Sequence, residues 1–248
     1  MVSQFVAALD RPISRVRLEN YRSANGSDLD MIVNYFHNLE LSEALYPTLQ
    51  AFEIALRNSV HLTLSQHFQN AYWFDTPGLY PPPPSPATTP WQEQAIQSAR
   101  AKLTAEKKSH DADRIVAEMH LGFWHGLFNR PFENKLWRPN KSALVGQVFP
   151  LAPNSQRNRQ PVWNRVNRIR ILRNRVMHYE PIWHRARLAD DHTAIVEALG
   201  WISPDMHDTI AMCDRFLVVH GRGRPELQKR IQAEIQKRFP SVPPATPE

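Results

Sequence analysis

Residues 172–181, Leu-Arg-Asn-Arg-Val-Met-His-Tyr-Glu-Pro, contain two side chains that could work together on a phosphodiester. Arg173 and His178 are separated by four residues, and Asn174 follows the arginine directly. An arginine keeps its charge at every physiological pH, whereas a histidine titrates near neutrality. A fixed cation can stabilise the negative charge of a transition state while an imidazole moves the proton. The segment therefore suits the cleavage of phosphodiesters.

The geometry of a regular helix separates these two side chains. Five residues correspond to about 140° of helical rotation, so Arg173 and His178 do not share a face. They can converge only where the helix end unwinds, or where a partner chain supplies the complementary half. We predict His178 in the last helical turn, where the helix dipole favours the imidazolium form. A histidine that only caps the helix remains the alternative.

A dense run of arginines surrounds this pair. Residues 157–187 hold nine arginines and only one acid, Glu180. Like charges three or four residues apart repel each other on a helix, so an anion is expected to compensate them. We predict that four of these arginines hold a nucleic-acid backbone. They are Arg165, Arg168, Arg170 and Arg175. The alternative is that they pair with acids elsewhere in the fold.

Arg173 falls within the apolar stripe of the predicted helix. This stripe consists of Val162, Val166, Ile169 and Val176. A lone buried charge is very costly, so Arg173 must be paired or must lie in a cleft or at an interface. Arg57 stands in a similar position on an earlier helix, beside Leu56 and Val60. Glu53, one turn before Arg57, could pair with it or could reach the Arg173 region instead.

The bulk composition is that of an ordinary folded protein with a basic surface. The chain has 248 residues, 42% of them hydrophobic, and a net charge of +6, which predicts some affinity for polyanions. The single cysteine, Cys213, excludes an intramolecular disulfide and a cysteine-based zinc site, and it favours a reducing cytoplasm. Neither a signal peptide nor a membrane span is expected. The histidines lack metal-ligand spacing and the glycine-rich nucleotide motifs are missing, so no metal or other cofactor is predicted.

Apolar residues recur at helical spacing and glycine is scarce, so the chain is predicted to be mainly α-helical, with one domain over residues 1–239. The predicted helices lie at 28–39, 42–68, 91–107, 111–121, 155–179, 191–200, 204–220 and 225–238. We expect the segment 121–150 to be irregular, with its aromatic residues in the core. The proline-rich residues 75–90 predict a surface loop, and residues 240–248 predict a disordered tail.

Several blocks of the sequence resemble one known family, in the same order along the chain. Arg173-x4-His178 resembles the Arg-x(4–6)-His motif of the HEPN superfamily. The surrounding residues resemble the C-terminal signature of the Abi-like (abortive infection, AbiD/AbiF) family within it. Further similarities lie at Tyr21-Arg22, at Tyr35 to Tyr46, at Phe52-Glu53-Ile54-Ala55-Leu56-Arg57-Asn58, at Gly122-Phe123-Trp124 and at Trp163. The resemblance covers residues 15–185.

The resemblance implies an all-α fold, a HEPN-like helical bundle with additional helices and a Pro-rich surface loop. It also implies metal-independent endoribonuclease activity in phage defence or in a toxin–antitoxin system. Arg173 and His178 would be catalytic, and Asn174 would orient the site. A supporting polar layer would consist of Glu53, Arg57, Asn58 and Glu180. Glu180 replaces a tyrosine that related toxins carry two residues after the histidine, which argues against control by modification of that tyrosine.

Sites in this family are commonly composite across a homodimer, which would bring Arg173 and His178 together from two chains. The partners implied are RNA, a second copy of the chain, and an antitoxin or another defence protein, with no membrane. Two other functions stay open. A non-catalytic module that binds RNA or DNA would bind in a salt-sensitive way without cleavage. A protein-interaction component of a defence system would use its arginines on an acidic partner and would not bind nucleic acid at low salt.

Overall fold

The computed structural model describes residues 1–82, 89–138 and 143–240. Within these ranges all regular secondary structure is helical, which confirms the prediction of an all-α protein. The loop predicted at 75–90 is described except for residues 83–88, and it is not wholly at the surface, because Leu79 and Tyr80 are buried in the core. Of the predicted tail only Pro240 belongs to the described residues.

The helices follow one another along the chain in this order. They are α1 (Val2–Ile13), α2 (Arg15–Glu19), α3 (Asp28–Phe68), α4 (Trp91–Ala105), α5 (Ala112–Glu118), α6 (Leu121–Gly126), α7 (Ala143–Val148), α8 (Arg159–Met177), α9 (Leu188–Ile202), α10 (Pro204–Ala211), α11 (Phe216–Arg222) and α12 (Pro225–Arg238). Short 3-10 turns lie at Trp73–Asp75, Arg130–Phe132 and Asn154–Gln156, and one π-helical turn lies at Glu133–Trp137.

Helix α3 runs without interruption for 41 residues, whereas the sequence predicts two helices at 28–39 and 42–68. The residues at the expected break are good helix formers, and Leu41 is buried, so nothing interrupts the backbone there. Pro47 lies inside the helix, and its missing N–H leaves the carbonyl of Glu43 without its usual helical donor. Ser27 caps the start of α3, because its Oγ accepts a hydrogen bond from the backbone N–H of Asp30 at 3.1 Å.

Other predictions differ from the structure. The segment expected to be irregular, 121–150, contains the helices α6 and α7 and two short helical turns. The helix expected over 204–220 is divided into α10 and α11 by residues 212–215, which form a turn around Cys213. The N-terminal helices α1 and α2 were not expected from the sequence. Their apolar positions, among them the buried Phe5, Val6 and Leu18, follow a helical period in segments too short to stand out alone.

The chain divides into two compact units, each built from segments that are separate in the sequence. The first unit comprises Met1–Pro47, Arg175–Ala189 and Asp214–Glu248, and the second comprises Thr48–Asn174 and Asp190–Cys213. The boundaries at 47/48 and 174/175 fall inside α3 and α8 rather than in linkers. The expected single domain over residues 1–239 therefore stays a prediction.

The first unit has an apolar core supplied by four helices and the turn after α2. Its buried members are Phe5, Val6, Leu18, Tyr21, Met31, Ile32, Val33, Leu227, Ile231 and Ile235. The side chain of Asn34 is buried beside this core and satisfied at both ends. Its amide donates to the carbonyl of Tyr21 at 2.8 Å, and its Oδ1 accepts from Arg224 at 2.8 Å. A buried polar group is tolerated when it is hydrogen-bonded in this way.

The second unit has an aromatic core, as the sequence predicts for the segment 121–150. Its largest fully buried side chains include Trp73, Phe74, Phe123, Trp124, Phe128, Phe132, Trp137 and Phe149. Phe128 and Trp137 are stacked with ring centroids 4.6 Å apart. The indole N–H of Trp137 donates to the carbonyl of Leu127 at 2.8 Å, so this buried donor is satisfied. No helix among the described residues is both long and apolar enough to cross a membrane.

Candidate functional site

The end of α8 is a tight hydrogen-bonded turn that leaves His178 just outside the helix. The helix ends two residues earlier than the predicted Tyr179. The N–H of Tyr179 donates to the carbonyl of Val176 at 3.2 Å. The N–H of Glu180 donates to the carbonyl of Arg175 at 2.8 Å. These two bonds form a Schellman motif, in which one residue adopts the left-handed conformation to close the helix.

Tyr179 is the left-handed residue, with φ 58°. Glycine normally takes this position, because any other L-residue is strained there. Two side chains of the first unit hold the turn through its carbonyl: Arg17 Nη2 donates at 2.8 Å and the Tyr21 hydroxyl lies at 3.4 Å. Burial raises the pKa of Tyr21, so this phenol keeps its proton. The turn that carries His178 is therefore anchored from α2 and the turn that follows it.

His178 itself is exposed, and no residue of the described ranges hydrogen-bonds to its imidazole. Its neighbour Glu180 is also exposed and forms a loose ion pair with Arg175, Nε to Oε2 3.6 Å. Arg175 also donates from Nη1 to the carbonyl of Pro181 at 3.0 Å. The imidazole is therefore exposed to solvent on an anchored turn. The neighbouring charges of Arg175 and Glu180 compensate each other.

Arg173 is paired with Glu53 within the second unit. Arg173 Nε donates to Oε2 at 2.9 Å, and Nη2 lies 3.4 Å from Oε1. Glu53 Oε1 also accepts from the backbone N–H of Leu121 at 2.9 Å, at the start of α6. The apolar stripe predicted around Arg173 is buried. Of the expected solutions, which were pairing or a position in a cleft or at an interface, the structure shows pairing. The guanidinium uses its Nε–Nη2 edge on Glu53, which leaves its Nη1 end for another acceptor.

Arg57 and Asn58 do not join this ion pair. Arg57 donates from Nε to Asn58 Oδ1 at 3.2 Å and from Nη1 to the carbonyl of Ala117 at 3.3 Å. Of the two partners considered for Glu53, the structure therefore favours Arg173 over Arg57. Asn174 is half-buried directly after Arg173.

Two of the four arginines predicted to hold RNA are paired with acids of α9. Arg165 Nη1 lies 2.7 Å from Glu197 Oε2, and its guanidinium carbon stands 4.6 Å from the centre of the Trp201 ring. Arg168 Nε lies 2.5 Å from Asp191 Oδ1. These acids compensate much of the like-charge repulsion on α8, as the alternative interpretation of the arginine run expects.

Arg170 differs from Arg165 and Arg168, because its hydrogen-bond partner is a neutral amide. Its Nη2 and Nε donate to Asn167 Oδ1 at 2.9 and 3.3 Å, one turn earlier on the same helix. Arg170 therefore keeps a net positive charge that an anion could use. Arg173 belongs to the second unit and His178 to the first, so the two members of the motif fall in different units.

Among the described residues, no three or more His, Cys, Asp or Glu side chains are grouped so that they could hold a metal ion. The sequence did not single out three residues that organise the candidate site, namely Arg17, Asp191 and Glu197. Tyr21 was noted only for its part in the family resemblance. The only available signal was the acidic pair 190–191 in the helix that follows α8. The strained turn at Tyr179 has no glycine to reveal it.

Protein-family models, curated proteins and solved structures give no match to the chain.

Proposed function

We propose that the protein is a metal-independent endoribonuclease that acts in the cytoplasm, in an abortive-infection or toxin–antitoxin system. The observation that carries the proposal is the exposed imidazole of His178, unbonded within the described residues, on a turn anchored by Arg17 and Tyr21. A general acid–base catalyst needs an accessible nitrogen and a fixed position. The defence role and the HEPN-like bundle come from the family resemblance.

His178 would shuttle the proton of the reaction. The neutral imidazole takes the proton of an RNA 2′-hydroxyl, and the 2′-oxygen attacks the neighbouring phosphorus. The bond from phosphorus to the 5′-oxygen breaks, and the imidazolium of His178 returns the proton to this leaving oxygen. The products are a 2′,3′-cyclic phosphate and a 5′-hydroxyl. Only protein side chains take part, so the reaction runs in EDTA.

Arg173 would stabilise the additional negative charge on the phosphate. Its assignment to the same reaction rests on the four-residue spacing from His178, with the arginine supplied by the same chain or by a partner in a homodimer. Glu53 holds the guanidinium by one edge, and the Nη1 end is left to face a phosphate oxygen. Asn174 would orient the site, and Arg170 would be the principal backbone contact on α8, with Arg165, Arg168 and Arg175 contributing less.

The experiment is incubation of labelled single-stranded RNA with the protein in EDTA, with His178→Ala beside the natural chain. His67→Ala is a matched control, because His67 is also exposed and also lies near the C-terminal end of a helix. We expect cyclic-phosphate ends from the natural chain and from His67→Ala. His178→Ala should lose cleavage and keep its gel shift. Cleavage by His178→Ala would contradict the assignment of His178 as the acid–base catalyst.

The ion pair between Glu53 and Arg173 favours a second candidate, a module that binds RNA or DNA without cleaving it. An arginine neutralised by a carboxylate is less available to a transition state than a free one. This candidate expects a salt-dependent gel shift with no product in any variant. A protein-interaction role, with an antitoxin or another defence protein as the partner, expects no shift at low salt.

A further inference from the structure

An aromatic and cationic pocket lies wholly within the second unit. Its volume is about 430 Å³. The side chains that matter for its chemistry are Trp91, Trp163, Asn129, Arg130, Arg159 and Gln160. No acid lines it among the described residues. Pockets of this size with aromatic walls and a few polar groups are typical small-molecule sites.

The first aromatic wall is Trp91, at the start of α4. Its side chain is 47% exposed, which is unusual for tryptophan. The indole lies directly on Gly126, where an added Cβ would stand 2.5 Å from its Cζ2 atom. Phe123 meets the ring edge-on at 6.3 Å. Trp91 therefore has a fixed position despite its exposure, because only a glycine at 126 lets the ring approach so closely.

The second aromatic wall is Trp163 of α8, which is half-buried and fixed by two contacts. Its indole N–H donates to Asn129 Oδ1 at 2.8 Å. The ring packs on the imidazole of His125, with centroids 5.5 Å apart. Burial, with the nearby Arg170 adding to it, lowers the pKa of His125 to about 4, so a neutral ring supports Trp163 at physiological pH.

Two guanidinium groups supply positive charge at the same pocket. The Arg159 side chain is held in place: Nη1 donates to the carbonyl of Phe128 at 2.9 Å, and Nε lies 3.3 Å from Glu133 Oε2. Its Nη2 donates to the Gln160 amide oxygen at 2.8 Å. Arg130 is exposed, and none of the described residues accepts a hydrogen bond from its guanidinium. The free charge of the pocket is therefore that of Arg130.

We propose that this pocket binds a nucleotide, either a free nucleoside monophosphate or one residue of single-stranded RNA. Exposed indoles stack on nucleobases. A free guanidinium binds phosphate through two parallel hydrogen bonds, and side-chain amides can hydrogen-bond to base edges. The pocket offers all three kinds of group. Its available amide is the Nδ2 group of Asn129, because both ends of the Gln160 amide are hydrogen-bonded to Arg159 and Asn164. The proposal does not depend on cleavage by His178.

In the experiment, the full-length chain is titrated with the four nucleoside monophosphates and with a short single-stranded RNA. Binding is measured by calorimetry and by tryptophan fluorescence. We expect saturable binding that Trp91→Ala weakens roughly tenfold, because one base-stacking contact is lost. Tyr46→Ala is the matched control, since Tyr46 is equally exposed at 47%. Arg130→Ala should also weaken the binding of nucleotides, but it should leave the binding of the corresponding nucleosides unchanged. Arg114→Ala, at an exposed arginine paired with Asp111, should change neither.

Gly126→Ala provides a variant that keeps every side chain of the pocket. Its methyl group displaces the Trp91 ring, so binding should weaken as in Trp91→Ala, and thermal denaturation monitors folding. Competition between monophosphates and RNA places both in this pocket. If RNA binds, the monophosphates do not, and the same variants weaken RNA binding, the pocket takes its nucleotide from RNA. Unchanged binding in Trp91→Ala and Arg130→Ala, or no binding at all, would overturn the proposal. Loss of cleavage with retained binding in His178→Ala concerns the nuclease proposal only.

Discussion

Nε of Arg173 lies 2.9 Å from Oε2 of Glu53, although the two residues are 120 positions apart in the chain. The exposed fraction of the side chain is 23% for Arg173 and 19% for Glu53. Both charges are therefore largely removed from water, and each depends on the other for compensation. The pair links α3 to α8 within the second unit, while the second oxygen of Glu53 holds the start of α6.

Glu53→Gln should destabilise the protein by roughly 2 kcal/mol, because a charge-assisted hydrogen bond is lost and Arg173 is left uncompensated. Urea denaturation measures the free energy of unfolding. Glu197→Gln is the control: its carboxylate is 50% exposed, so loss of its pair with Arg165 should cost under about 1 kcal/mol. A double-mutant cycle with Arg173→Gln should show coupling. Additive effects of the two substitutions would contradict an ion pair.

Tyr179→Gly should raise the free energy of unfolding by about 0.5–1 kcal/mol. Glycine relieves the left-handed strain, which outweighs its greater freedom in the unfolded chain. The same hydrogen bonds and a positive φ recur at Gln69 and Lys107, so Gln69→Gly and Lys107→Gly should stabilise as well. Thermal denaturation compares these variants with Tyr179→Ala, which removes the ring but not the strain. A similar gain from the alanine would show that the strain is not the cause.

The free energy of unfolding should decrease as the pH is lowered, because of His125. Its folded pKa of about 4 lies below the ordinary value of 6.5, so only the unfolded chain takes up a proton between these two values. The contribution is complete above about pH 6.5 and is lost towards pH 4, by roughly 3 kcal/mol. His125→Phe should show a smaller loss between pH 7 and pH 4.5 in urea denaturation. A slope in His125→Phe equal to that of the natural chain would refute the prediction.

Two inactive chains should restore cleavage when mixed, if the proposed nuclease site is shared across a homodimer. Arg173→Ala and His178→Ala each remove one half of the motif, and a mixed dimer retains one intact site of two. Equal mixing should recover about a quarter of the natural activity, because half of the dimers are mixed. Mixing either chain with the double variant should recover nothing. Sedimentation verifies that mixed dimers form, and no recovery from them would assign both residues to one chain.

Helical periodicity in the sequence was sufficient to predict the all-α class and most helices. Pro225 marks the start of α12 correctly, since proline fits the first helical turn. The break after Ala211 was not predictable, because the turn at 212–215 contains neither glycine nor proline. The burial of Val162, Val166 and Ile169 follows from their spacing, and so does the need for a partner at Arg173.

The identity of that partner could not be chosen from spacing alone. Glu53 stands one turn before Arg57, and a local pair was equally open. Only packing within the second unit selects Arg173. The acids of α9 were similarly hidden, because Asp191 and Glu197 meet the arginines of α8 through tertiary contacts rather than through sequence proximity. Charge density along the chain therefore overstated the charge that remains available to bind an anion.

The core of the first unit has a consequence for synthesis of the chain. Leu227, Ile231 and Ile235 of α12 pack in one cluster with Phe5 and Met31, so this core joins segments made early and late in translation. Until α12 has been synthesised, the apolar faces of α1 and of the first part of α3 lack three of their partners. Nascent chains would expose these faces while the ribosome translates nearly two hundred further codons. Co-expression of chaperones that bind nascent chains should therefore reduce aggregation of the protein.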